Sequence, residues 1–276
     1  MKKLLATMVP LKNMKKVMEK MYDKILTDAM TMAREAGKVQ MELYRSGHLD
    51  ITTKQNAYDV VTAADKASER LIVESINRLY PGHSILSEES GLHDGDSEWQ
   101  WVIDPLDGTT NYSNGLPLFN VSIGVKHHGE TVVGVVYAAA LGEMFHAVKG
   151  AGAFLNGKPI KCSSKTDLEQ AVVSTGFPYD KAVNSDNNID RASRVIPLVR
   201  GLRRLGSAAL DISYVAAGFL DAYWEMSLNE WDVCAALLIA SEAGARWCDF
   251  RTDRNRSILA ATPALHAPLL ALINRP

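Results

Sequence analysis

Apolar positions from Tyr22 to Tyr44 recur at helical spacing (Leu26, Met30, Ala33, Gly37, Met41, Tyr44), which predicts an amphipathic helix ending near Gly47. A second helix is predicted from about Ala63 to Leu79. Thr62 with Asp65 three residues on opens it in the manner of a capping box, and Pro81-Gly82 stops it. Ser84–Ser87 and Gln100–Asp104 read as short buried strands. Between residues 118 and 160 the period changes to two. Val121, Ile123 and Val125 alternate with small or polar residues, His128-Gly129 turns the chain, and Thr131–Ala138 returns. Leu141-Gly142 turns it again before Met144–Val148, and Asn156-Gly157 is a two-residue hairpin signal. This is an antiparallel meander.

Strand and helix patterns then alternate. Strands are expected at Ala171–Thr175, Leu202–Leu205, Leu220–Met226, Arg246–Phe250 and Ser257–Ala261. Helices are expected near Ile189–Val199, at Ser207–Ala217, at Trp231–Ala243 with Gly244 just past its end, and from Pro263 with Thr262 as N-cap. The fold class is α+β, two sheets interleaved with helix layers.

Composition narrows the function. The 276 residues are 47% hydrophobic and 22% charged, enough for a sizeable core, and exclude disorder or a disulfide-stapled mini-protein. The net charge of −2 offers no basic excess for nucleic acid or an anionic membrane, so phosphate chemistry has to be local. Cys162, Cys234 and Cys248 share no short spacing and read as buried thiols of a reducing, cytoplasmic compartment. No apolar run is long enough for a membrane span. Residues 1–24 carry seven Lys against Glu19 and Asp23. Residues 1–21 are therefore expected to be a basic leader, with a domain from 22 to 276 whose two halves meet at about 160.

Acidic residues fall in unusual places. Trp101-Val-Ile-Asp104-Pro-Leu-Asp107-Gly-Thr-Thr-Asn111 sets two carboxylates three apart at the end of an apolar strand. Pro105 stiffens the turn between them, and Leu106 can offer its carbonyl as a third oxygen. Gly108-Thr109-Thr110 supplies backbone N–H groups at a helix start, a seat for an anion. Carboxylates plus a carbonyl suit Mg²⁺. The same aspartates would also serve to cap a turn. Glu88-Glu89 ends the preceding strand and reads equally as surface or site. Asp232, in Glu230-Trp-Asp-Val233, opens an apolar helix and could simply complement its dipole.

Taken together, these segments resemble a family. Trp101–Tyr112 closely resembles the first signature of the inositol monophosphatase family, and Trp231–Ala245 resembles the second. The order Thr62-Ala-Ala-Asp65, Glu88-Glu89, Asp104–Asn111, Gly206-Ser-Ala208, Glu225, Trp231-Asp232 also matches, so the resemblance covers about residues 22–275. It implies an α-β-α-β-α layered sandwich and a Mg²⁺-dependent, lithium-sensitive phosphatase, commonly a homodimer. Carried over, Glu88, Asp104 and the Leu106 carbonyl resemble the ligands of one metal. Asp104, Asp107 and Asp232 resemble those of a second, and Glu88 would hold a third, weaker ion through water. Asp65 and Thr109 resemble the pair that positions the nucleophilic water. The Gly108 and Thr109 amides would hold phosphate oxygens. Gly206, Ser207, Ala208 and Glu225 match the stretch contacting the alcohol, with Asp107 and Asp232 beside it, and Lys54 aligns with a lysine near the phosphate.

The implied reaction is hydrolysis of a small phosphate monoester, myo-inositol 1-phosphate as first choice. Histidinol phosphate, fructose 1,6-bisphosphate and 3′-phosphoadenosine nucleotides are rivals. A regulatory binding protein of a transcription complex is the alternative from another class. Cys234 stands where the family usually has Ala, and Phe250–Ser257 lacks the family's glycines. The seven histidines lie outside the motifs and read as structural or surface.

Overall fold

A computed structural model describes residues 11–46, 52–53 and 60–275. The chain runs α1 (Leu11–Leu43), a short pair β1 (Thr52–Thr53) and β2 (Val60–Val61), α2 (Ala63–Leu79), β3 (Ser84–Ser87), β4 (Gly91–His93), β5 (Trp99–Asp107) and α3 (Thr109–Ser113). The meander follows as β6 (Asn120–His127), β7 (Glu130–Ala138), β8 (Glu143–Val148), β9 (Ala153–Leu155) and β10 (Lys158–Pro159). Then come β11 (Val172–Thr175), α4 (Ile189–Val195), β12 (Gly201–Arg203), α5 (Ala208–Ala216), β13 (Ala222–Leu228) and α6 (Glu230–Glu242). The chain closes with β14 (Arg246–Asp249), β15 (Arg256–Ala261) and α7 (Pro263–Ile273).

Eight strands form one sheet in the order β10-β9-β8-β7-β6-β5-β3-β4, and five form another in the order β12-β11-β13-β15-β14. Side-chain alternation assembles the layers. On β7, Val133 and Val135 face Ile25, Ala29, Ala33, Ile72 and Ile76 of α1 and α2. Val136 and Ala138 face the other way, into the core of α5 and α6. On β13 and β15, Tyr223, Ile258 and Ala260 join that middle core, while Trp224, Leu259 and Ala261 face α4 and α7. The result is a sandwich of five layers, helix-sheet-helix-sheet-helix, in which each strand carries out its period of two.

Helix α6 lies between two sheets, so Val233–Ala240 are buried on every side and the helix has no polar stripe. Its close approach to the large sheet needs two strand glycines. A Cβ at Gly124 would stand 2.1 Å from Cys234 Sγ, and one at Gly134 would stand 2.5 Å from the Ala235 carbonyl oxygen. Cys234, the departure from the family pattern, fills the space over Gly124.

Several expectations hold to the residue. Helix α2 spans 63–79, and Asp65 Oδ2 accepts the Thr62 N–H at 2.8 Å to close the capping box. Asn156 and Gly157 take positive φ of 49° and 75° between paired Leu155 and Lys158, the turn that suits the right-handed twist of a hairpin. Others differ. Helix α1 starts at Leu11, so the second half of the expected leader is helical, and Met18 and Met21 pack on the core beside Tyr22. The segment after Glu89, where the sequence pattern shows no strand, contains β4, antiparallel to β3. Helix α4 ends at Val195 and gives way to a single 3₁₀ turn over Ile196–Leu198, because Pro197 has no N–H for a longer ladder. Among the described residues no helix is long and apolar enough to cross a membrane.

Gly134→Ala is expected to lower stability by about 1–3 kcal/mol, because the rigid backbone of α6 cannot yield to the methyl group. Urea unfolding checks this. An unchanged midpoint would show that α6 is free to shift.

Candidate active site

Strand β5 delivers two carboxylates to one place by a bulge. Asp104 pairs with Ser122 and Asp107 with Asn120, so Pro105 and Leu106 stand opposite the single residue Val121. Residues three apart on a regular strand point to opposite faces. The extra residue cancels that, and both aspartates face the same cavity. The Pro105 carbonyl, freed from the ladder, accepts from Gln40 Nε2 at 2.8 Å, which ties the bulge to α1.

Glu88 arrives by register. Strand β3 is parallel to β5, Ser87 pairs with Ile103, and the Glu88 N–H donates to the Ile103 carbonyl at 3.1 Å. The next position on each strand is Glu88 beside Asp104. Asp232 enters from the opposite side of the cavity, in the first turn of α6. There its Oδ2 accepts the Asn229 N–H at 2.6 Å. Asp232 therefore caps its helix, a local role beyond the dipole complement expected from sequence, and also lines the cavity.

Asp107 is the most elaborately held. Its Oδ2 accepts from Ser207 Oγ at 2.6 Å, the Ala209 N–H at 2.9 Å and Asn120 Nδ2 at 3.1 Å. Two of these donors open α5, so the carboxylate from the large sheet sits on the N-terminus of a helix from the other half of the chain. Asn120 also donates to Ser207 Oγ at 2.7 Å, and Asn111 Nδ2 reaches the Leu118 and Leu205 carbonyls, both at 2.7 Å. Neither asparagine stands out individually in the sequence. Asn120 was detectable in principle as a polar residue starting an apolar strand.

The cavity, about 560 Å³, is lined by Glu88, Asp104, Leu106, Asp107, Gly108, Thr109, Gly206, Ser207, Ala208, Glu225 and Asp232 among others. Asp65 lies behind it, buried. Thr109 Oγ1 stands 3.1 Å from Asp65 Oδ1 and 3.0 Å from the Leu106 carbonyl, so the threonine links the two. The Leu106 N–H donates to Asp104 Oδ1 at 3.0 Å, the turn-capping bond. Gly108 adopts φ +90°, where a Cβ would meet the Leu118 carbonyl oxygen at 2.7 Å, so the residue before α3 is held to glycine. Helix α3 has only five residues, which leaves the anion seat to local N–H groups rather than to a long dipole. Lys54 lies outside the described residues.

The alcohol side of the cavity is built on β13. Glu225 Oε2 accepts from Tyr223 Oη at 2.6 Å, and Arg204 and Lys181 line the same space. Glu225 passes so close to Gly176 that a Cβ there would fall 1.9 Å from its oxygen.

Burial and mutual repulsion act together on these acids. Burial pushes Asp104 and Asp232 well above the carboxylate range, and Glu88 and Asp107 add to it. Burial also raises Asp107, against its hydrogen bonds from Ser207, Asn120 and α5. Asp65 rises to about 6, mainly through burial. Four carboxylates brought together in this way call for positive charge. Among the described lining residues there is no His or Cys, and the donors are carboxylate and carbonyl oxygens. That donor set fits a hard divalent cation such as Mg²⁺.

Over residues 21–275 the chain matches the inositol monophosphatase family. It belongs to that family. Nus factor SuhB of Pasteurella multocida is 45% identical over 89% of this chain and 94% of its own. Among solved structures, the suhB extragenic suppressor protein of Bartonella henselae superposes with TM-score 0.85 at 33% identity, covering 91% of this chain and 99% of its own. The inositol monophosphatase of Anabaena (Nostoc) sp. PCC 7120 gives 0.81 at 37% identity, with 91% and 95% covered. The α+β layered sandwich is the fold of this family, whose members typically depend on Mg²⁺.

The raised carboxylates set a pH dependence. An acid whose folded pKa exceeds its unfolded value contributes stability below the unfolded value and loses it as pH rises through the folded one. Metal-free protein is therefore expected to melt lower at about pH 8 than at about pH 5, and Mg²⁺ to raise Tm more at the higher pH. Thermal unfolding with and without Mg²⁺ checks both signs. An equal or larger Mg²⁺ effect at the lower pH would contradict the charge assignment.

Proposed function

We propose that this cleft hydrolyses a small phosphate monoester with Mg²⁺, myo-inositol 1-phosphate being the first-choice substrate. The observation that carries the reading is the convergence of Glu88, Asp104, Asp107 and Asp232 beside the Gly108 and Thr109 amides in one cavity. In this reading Glu88, Asp104 and the Leu106 carbonyl hold one ion, and Asp104, Asp107 and Asp232 hold a second. Glu88 supports a third through water. Bound divalent ions neutralise phosphate charge and lower the pKa of the attacking water.

The chain's own groups do the positioning. Asp65 accepts from Thr109 Oγ1, which leaves the threonine oxygen as an acceptor toward a water proton. The Gly108 and Thr109 N–H groups receive phosphate oxygens. Gly206, Ser207 and Ala208 border the alcohol, and Glu225, anchored by Tyr223, accepts from its hydroxyls. A polyol suits a carboxylate acceptor of this kind, and the similarity to the Anabaena inositol monophosphatase favours the inositol ester. Neither points to a histidinol or nucleotide ester over it.

The test is phosphate release from inositol 1-phosphate, histidinol phosphate, fructose 1,6-bisphosphate and 3′-phosphoadenosine 5′-phosphate, with Mg²⁺ and with EDTA. Mg²⁺-dependent preference for the first is expected. Asp104→Asn should lower kcat by roughly 100-fold or more while raising the melting temperature of the metal-free protein, since it relieves repulsion. Near-normal activity of that variant would refute the site.

The name Nus factor, borne by the Pasteurella relative, favours a second reading in which the chain serves a transcription complex as a binding protein. Complementation of a deletion strain by Asp107→Asn separates the two. Failure supports catalysis as the role, and full rescue by an inactive enzyme supports binding.

A further inference from the structure

At the opposite end of β5 from the acidic cleft, three metal-ligating side chains come together: Glu98, His127 and His128. One ligand atom from each lies within 4.8 Å of the other two. His128 Nε2 is 3.1 Å from Glu98 Oε2, and His127 Nε2 is 4.0 Å from the same oxygen. Ligands of one ion with bonds of about 2.0–2.2 Å stand roughly 3–4 Å apart, and both imidazole nitrogens meet Glu98 Oε2 at such a spacing.

The backbone holds this arrangement. Trp99 pairs with His127 across the β5–β6 ladder, and the His128 N–H donates to the Glu98 carbonyl at 2.9 Å. His128 takes a positive φ of 51° in the turn before β7, which places it over the strand end instead of continuing it. The His127 ring stacks on the Trp99 ring at 4.1 Å, and the His128 ring lies tilted against it, also at 4.1 Å. Tyr22 of α1 closes on both Trp99 and His127 at 6.0 and 6.4 Å. Two of the three ligands remain open to solvent, with Glu98 67% and His128 59% exposed, so an ion can enter and keep water ligands.

We propose that Glu98, His127 and His128 form a second metal site, selective for a divalent transition-metal ion of the zinc class. Two imidazoles and one carboxylate suit Zn²⁺, Co²⁺, Ni²⁺ or Cu²⁺ and are poor partners for Mg²⁺, which prefers oxygen donors. The chemistry is thus complementary to the all-oxygen cleft, and Asp104 lies six residues along the strand, roughly 20 Å away at 3.3 Å per residue. A bound ion would cross-link the start of β5 to the β6–β7 turn.

The test titrates Zn²⁺ by calorimetry into tag-free full-length protein held in excess Mg²⁺, so that the cleft is occupied. The wild type is expected to bind one equivalent of Zn²⁺ and to melt higher with it. The His128→Ala/Glu98→Gln variant changes only exposed side chains, which circular dichroism checks, and is expected to bind Zn²⁺ at least tenfold more weakly and lose the rise in Tm. Co²⁺ added to the wild type should give visible absorption bands that the variant lacks. Zn²⁺ binding unchanged in the variant would overturn the site, as would a wild type that takes up no Zn²⁺ in the presence of Mg²⁺.

Discussion

Four carboxylates stripped of water in one cavity repel one another, and every way of holding them there has a cost in folding free energy. Burial and proximity hold Asp104 and Asp232 far above an ordinary aspartate, so the metal-free protein has to protonate them or tolerate their charge. Structural features around the site answer to that constraint. The bulge turns Asp104 and Asp107 to one side, the parallel β3–β5 register brings Glu88 alongside, the first turn of α5 supplies an N–H to Asp107, and the N-cap residue of α6, Asn229, supplies one to Asp232. What destabilises the chain alone is what makes it receptive to divalent ions.

The layered fold serves this convergence directly. The cleft is lined by both sheets and by the α5 and α6 layer between them, and neither sheet contains a complete set of acids. Gly124 and Gly134 let α6 settle onto the large sheet so that Asp232 comes opposite the end of β5. Asn111 and Asn120 then tie the α3 loop and β6 to the Leu205–Ser207 segment, fixing the two halves at the seam. A methyl group at either strand glycine would collide with α6 on the face that carries Cys234 and Ala235.

The two ends of β5 offer different chemistries. Oxygen donors, deeply buried, gather at the bulged end, while imidazoles gather at the solvent end around Glu98. The aromatic cluster of Tyr22, Trp99 and His127 belongs to that second end, and Met18 and Met21 pack on the same core from the preceding turn of α1. Lysines among these residues gave the segment the look of a solvated leader, because charge on one face of a helix outweighs a short apolar stripe when no partner surface is known.

Much of this was legible without coordinates. Thr62, Asp65 and Pro81 bound α2 and Asn156-Gly157 names its turn, since local propensity and short-range hydrogen bonding are written in adjacent residues; the acids, by contrast, are marked by the resemblance of two segments to a family. Tertiary structure alone decided the rest. That Asp104 and Asp107 face one way follows from two residues opposing one across the β5–β6 ladder, and that Asp107 rests on α5 follows from the packing of two distant halves. Asn120, Tyr223 and the pairing of Glu98 with His127 and His128 likewise depend on register and crossover. Those are global properties of strand order, and one linear sequence does not display them.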